Sequence, residues 1–348
     1  MFKWWRRMIK GAAGHAPAQS TAPAHVHPGQ PAQPVPVKAA AIPGKRLVSF
    51  DQVDRVNSAY DSWLFDRADD SGLDLSPLES QVLEALAAIV ASQQSGAALV
   101  RRMPGLIPQL LQSLRSDTFS GAALSRTISS DVVLVAAVVR LANACYQGTA
   151  NSIASVEHAV MLIGQEGLRQ LITSVAFRPI IDMNSGHYTR TLAPRLWDHA
   201  ERCASANRLV AEELGIEPFE AFLAGLVQNV GMIVALRVMD QVAKNDASLG
   251  SELFCAQLVR DARALSCSIG REWHFPDAVT RALAEQSGVQ KGAQLSPLGQ
   301  LLMLTDYLGK VRELIDHGRL GHADPALLAG LPDYTPRLHA ALAPVPTP

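Results

Sequence analysis

Apolar positions along the chain recur at helical rather than strand spacing. The clearest case follows Ser76, where Val82, Leu83, Leu86, Ile89 and Val90 share one face at a period near 3.6. Ser76 is placed as N-cap and Pro77 as first helical residue, with Glu79 three positions after Ser76; together they form a capping box, in which the serine and the glutamate satisfy each other's free backbone N–H groups. Upstream, order is expected from about Leu47, with Tyr60, Trp63, Leu64 and Phe65 as core anchors. Beyond Pro104 one helical pattern follows another. The spacing predicts helices over 108–114, 121–128, 131–144, 156–163, 165–177, 192–214, 218–239, 251–273, 276–285 and 297–315. Alternation of period two is missing, so the fold class is all-α, helices stacked on helices.

Two segments depart from this pattern. Residues 14–44 consist largely of Ala, Pro, Gln and His, including QPAQPVPVKAAAIPG. Such a composition buries too little apolar surface to offset the entropy of ordering, and it reads as a flexible, partly polyproline linker. His15, His25 and His27 lie in it without fixed geometry and read as part of a neutral spacer. The first eleven residues, MFKWWRRMIKG, set Lys3, Arg6, Arg7 and Lys10 among Trp4, Trp5, Met8 and Ile9, with no acid. That composition suits either a short amphipathic helix touching anionic lipid or a partner groove, or a frayed, solvated start. Its apolar run is too short for a secretory signal. The chain therefore divides into a basic peptide (1–11), a disordered linker (12–46), an N-terminal helical segment (47–99), a main helical domain (100–315) and a partly disordered C-terminal extension (316–348).

Composition narrows the function. Hydrophobic residues make up 48% and charged residues 18%, and the formal net charge is −1; a chain so balanced has no general attraction for a polyanion, and no nucleic-acid partner is expected. Cys145, Cys203, Cys255 and Cys267 form no C-x-x-C pair, which argues against a zinc knuckle or disulfide framework and for a reducing cytoplasm. The richest apolar run, 132–142, contains Arg140, and no unbroken run approaches the roughly 18 residues of a membrane span. The expected location is cytoplasmic, with peripheral contact at the inner membrane face if the basic peptide binds lipid. Nucleophile-elbow, phosphate-loop and dinucleotide motifs are absent. Asp69 and Asp70, next to Ser71 and Gly72, read as a turn.

Several spaced phrases go further: GLIPQLL, SSD at Ser129, Ser130 and Asp131, RLANACYQG at 140–148, SIASVEHAVMLIGQEGLRQL at 152–171, LWDHA at 196–200, EAFLAGLVQNVGMIVAL at 220–236 and REWHFPDAV at 271–279. Together they resemble the HDOD (HD-related output domain) family, degenerate relatives of the HD and HD-GYP phosphohydrolases, over roughly residues 100–290. The resemblance implies an HD-like multi-helix stack. Catalytic relatives place one His on the LWDHA-type helix and a His–Asp pair on the AGL-type helix, so that a divalent cation can lower the pKa of a bound water for attack on phosphorus. Here His199 matches the first His, while Gln228 and Asn229 stand at the pair. Met232 stands where the family has a basic residue, and ARALSCSIG and ALAEQ where catalytic members add His. The resemblance thus implies a site without metal or cofactor and a non-catalytic module acting on other signalling proteins in bacterial regulation. The alternatives are a divergent metal-dependent phosphohydrolase built on His199, and a membrane-surface adaptor recruited through residues 1–11.

Individual residues carry two readings each. His199 is a residual ligand, joined by Cys203 one turn along, or a satisfied His beside a core Cys; the second is favoured, since two ligands of this kind hold a metal poorly. Gln228 and Asn229 tie two helices by hydrogen bonds, or line a solvated cleft wall. Asn143, inside RLANA, is a buried amide crosslinking a neighbouring turn or a recognition residue. Trp273 is expected in the core, with His274 as a candidate contact residue.

Overall fold

The computed structural model describes residues 48–66, 74–92, 167, 169–170, 173–174, 186–243, 249–287, 294–321, 327–328 and 330–343. Its helices are α1 (Phe50–Leu64), α2 (Pro77–Ala91), α3 (His187–Ala211), α4 (Pro218–Val227), α5 (Val230–Ala243), α6 (Glu252–Glu272), α7 (Asp277–Ser287), α8 (Pro297–Asp316) and α9 (Thr335–Ala341). Among the described residues there is no strand. The predicted periodicities on 1–46 and 93–166, and with them Asn143, Lys3, Trp4, Trp5, Arg6, Arg7 and Lys10, lie outside the described residues.

Local signals start several of these helices. Ser49 caps α1 and Ser76 caps α2 through complete capping boxes with Gln52 and Glu79. Ser251 and Ser296 cap α6 and α8 by accepting from Phe254 and Gly299 N–H groups. Helix α3 lies at the centre, packed against α4, α5, α8 and α9, while α1 lies on α8 and α6, and α2 lies across α5 and α6. One contiguous core results, with Leu64 of α1, Leu86 of α2, Phe219 and Phe222 of α4 and Phe254 of α6 fully buried. The most apolar stretch, Pro218–Ala243, has a window of mean hydropathy 1.7, and 94% of that window is buried inside this core.

Two predicted boundaries are corrected. Helix α3 begins at His187 rather than at 192 and carries Pro194 in its interior. Its N-terminus has no side-chain cap of its own; Asp240 of α5 accepts from Tyr188 N at 2.7 Å and Thr189 N at 3.1 Å. An anion from a distant helix thus satisfies free N–H groups that local sequence leaves open. The single helix expected over 218–239 is in fact two, α4 and α5, parted at Gln228 and Asn229. Ser266 of α6 holds that break: its hydroxyl donates to Gln228 O at 2.8 Å and accepts from Gly231 N at 2.9 Å.

Candidate functional site

His199 points from α3 into the seam with α8 and is 1% exposed. Its neighbours on α8 are Asp306, Lys310 and Glu313, spaced i, i+4 and i+7 so that all three lie on one helix face. His199 Nε2 donates to Asp306 Oδ1 at 2.9 Å, and Nδ1 lies 3.7 Å from Glu313 Oε1, too long for a hydrogen bond but within ion-pair reach. Lys310 Nζ donates to Asp306 Oδ2 at 2.8 Å and, on its other side, to Asn57 Oδ1 of α1 at 2.8 Å. Arg263 of α6 approaches the same Asp306 oxygen at 3.7 Å, and Arg202 lies 3.9 Å from Glu313. Tyr60 of α1 closes the seam, its ring 5.6 Å from the His199 ring and 5.4 Å from Lys310 Nζ.

The charges set one another's protonation. Burial by itself would push the His199 imidazole down, but Cys203, Asp306 and Glu313 outweigh it and hold the imidazole well above the ordinary histidine range. Burial would likewise raise Asp306, yet Lys310, His199 and Arg263 hold its carboxyl far below the usual carboxylate range. Burial, reinforced by the charges of Glu313 and Asp306, raises Tyr60. The site is therefore a buried network in which an imidazole, acidic side chains and basic side chains hold one another. Cys203, 0% exposed, sits 3.5 Å from His199 Nε2 and donates weakly to Thr305 O. Sulfur and Asp306 address the same ring nitrogen, whereas a nucleophile activated by a histidine needs the thiol and the orienting acid on opposite nitrogens.

The amide pair borders this network from the break between α4 and α5. Gln228 and Asn229, with Arg263, Ser266, Leu283, Gln286 and Asp306, line a cleft of about 20 Å³, room for roughly one water molecule. Gln228 is 8% exposed, and its Nε2 has no hydrogen-bond partner among the described residues. The tie between helices that the sequence assigns to the pair is made by the Gln228 carbonyl rather than by its amide, through Ser266.

These donors do not suit the divalent cation of the catalytic relatives. Two neutral amides bring no negative charge. Among the described residues, the carboxylate facing the cleft is that of Asp306, and both its oxygens are engaged, one by His199 and the other by Lys310 and Arg263. Among the described residues no three His, Cys, Asp or Glu side chains converge as a metal set.

Trp273 is 2% exposed and stacks edge-on against Phe275 at 5.9 Å. His274 sits exposed in the turn after α6, with a positive φ of 53°. Met232 is buried at 6% exposure. Sequence reasoning missed Asp306, Lys310 and Glu313, although their spacing of i, i+4 and i+7 along α8 was a readable signal. It also missed Asn207, a fully buried amide that donates to Ala221 O and accepts from Thr305 Oγ1 at 2.7 Å, joining α3 to α4 and α8.

An all-α stack that sets a histidine of α3 near an amide pair at the break in its most apolar helical stretch defines an HD-like class of protein. The family model for the HDOD domain matches residues 100–289, more than half of the chain, and the chain belongs to the HDOD family. No protein of curated function matches it. Among solved structures it is similar to a provisionally named signal transduction protein from Marinobacter aquaeolei VT8, at 18% identity over 78% of this chain and 66% of that one, with a TM-score of 0.53. It is also similar to a provisionally named metal-dependent phosphohydrolase from Shewanella amazonensis SB2B, at 16% identity over 77% of this chain and 98% of that one, TM-score 0.51. An HDOD domain protein of unknown function from Geobacter sulfurreducens aligns at 18% identity over 77% and 98%, TM-score 0.49. Asn57, Tyr60, Asp306, Lys310 and Glu313 all fall outside the matched segment.

Proposed function

We propose that this protein is a non-catalytic signal-transduction module of the HDOD family that acts by presenting its helical surface to other signalling proteins. One observation carries the reading: amides stand at the positions where hydrolytic relatives need a histidine and an anionic ligand, while the nearby Asp306 is already neutralised by the protein's own cations. A cation bound there would keep most of its water and activate none of it. The names of the two similar structures point in different directions, signalling for one and phosphohydrolysis for the other; at 16% and 18% identity both carry only the fold, and the donor chemistry supports the first.

The test is elemental analysis of the full-length chain purified from manganese-, iron- or zinc-supplemented medium, together with hydrolysis assays on cyclic dinucleotides and phosphomonoesters. We expect no stoichiometric metal and no turnover. Stoichiometric metal with turnover abolished by His199→Ala would replace this reading with that of a divergent phosphohydrolase.

A further inference from the structure

We propose that the ammonium group of Lys310 stands in for the divalent cation as the resident counter-charge of the His199–Asp306 pair, and that it keeps metal out of the cleft even when the missing ligands are restored. The inference rests on the reading of the chain as a non-hydrolase and adds the group responsible for excluding the ion.

Lys310 is 7% exposed and unlike a surface lysine in every contact it makes. Its ammonium is held between Asp306 Oδ2 and Asn57 Oδ1, both at 2.8 Å, and under the Tyr60 ring at 5.4 Å. Asp306 lies one turn before it on α8, so the helix itself sets the pair in register. Asp306 also lines the cleft shared with Gln228 and Asn229. An ion placed between the amide positions and Asp306 would therefore meet a fixed positive charge already paired with the carboxylate that lines the cleft, with Arg263 adding a second at 3.7 Å. Like charges at such separations repel strongly where water is scarce, and both Asp306 oxygens would have to exchange partners before they could ligate. Replacing Gln228 by His and Asn229 by Asp supplies ligands but leaves this barrier in place.

The experiment uses the full-length chain in four forms: wild type, Q228H/N229D, Q228H/N229D/K310M and Q228H/N229D/K310Q. Each is stripped with chelator, titrated calorimetrically with Mn²⁺ and melted with and without Mn²⁺. Glutamine at 310 keeps a donor for Asp306 and Asn57 without the charge, which separates charge from packing. Wild type and Q228H/N229D should take up no stoichiometric Mn²⁺. Both triple variants should bind about one Mn²⁺ per chain, at least about tenfold more tightly than Q228H/N229D, with a melting temperature that rises with Mn²⁺. If a triple variant is unfolded without metal, Mn²⁺ should restore its helical circular dichroism; triple variants that neither bind nor refold with Mn²⁺ overturn the proposal. Equal affinity in Q228H/N229D and the triple variants overturns it as well, and leaves the non-hydrolase reading standing. Stoichiometric Mn²⁺ on the wild type overturns both.

Discussion

At Gly309 the backbone of α8 passes so close to α3 that a Cβ would lie 2.8 Å from His199 Cε1 and 3.2 Å from Cys203 Sγ. The imidazole cannot swing aside, because Asp306 holds it and Tyr60 covers it. Gly309→Ala should therefore destabilise the protein by about 1–3 kcal/mol, the usual cost of overpacking, despite alanine's better helix propensity; chemical denaturation measures this, and an unchanged or increased stability would contradict the packing. His199 makes a second prediction, in pH. A histidine whose folded-state pKa is raised stabilises the fold fully below its unfolded value of about 6.5 and loses that contribution as pH rises through the folded value. The stability difference between wild type and His199→Gln should accordingly be largest near pH 5–6 and narrow on the alkaline side. A difference that does not fall between about pH 6.5 and 10 would show that folding does not raise the imidazole's pKa.

Between elements, side chains from distant helices decide where helices begin and end. Ser266 of α6 satisfies the backbone at the break between α4 and α5, and Gly231 at the start of α5 admits the α6 backbone so closely that a Cβ would collide with the Ala262 carbonyl. Ser266→Ala removes a buried hydroxyl that serves one donor and one acceptor. The expected cost is about 1–3 kcal/mol, read from urea denaturation; a loss below about 0.5 kcal/mol would mean that water replaces the hydroxyl there. Glu79 does comparable work on the opposite side. One of its oxygens completes the capping box of α2 at Ser76 N, and the other accepts from Gly250 N and Ser251 N at 2.8 Å, just before α6. Burial would raise this carboxyl, but the three N–H donors outweigh it and lower it. Helix α2, which precedes the matched segment, is thereby tied into it.

For the whole molecule, the family segment and the folding unit differ. The core runs through Tyr60, Trp63 and Leu64 of α1, Val82 and Leu86 of α2, and Leu301, Leu302, Leu308 and Leu314 of α8, all outside residues 100–289. Each large side chain of this kind contributes about 1.5–3 kcal/mol when fully buried, and a domain's net stability is only about 5–15 kcal/mol. A fragment of residues 100–289 should therefore lack a cooperative melting transition by circular dichroism, whereas residues 48–343 should retain one. Cooperative melting of the shorter fragment would make α1, α2 and α8 dispensable additions.

By itself the sequence determined the all-α class, the capping box of Ser76 and Glu79, and the family with its amides at Gln228 and Asn229. Those properties reside in periodicity, in caps acting over three or four residues, and in residue identity at a motif position. Only the tertiary structure decided that α3 begins at His187, that the apolar run parts at Gln228 and Asn229, and that Asp306, Lys310 and Glu313 surround His199. Each depends on groups far apart in the chain: His199 and Asp306 are separated by 107 residues, Asn57 and Lys310 by 253. The charges on α8 were visible as a stripe, but their partners were not, because helix periodicity says which face a residue takes and nothing about which helix will cover it.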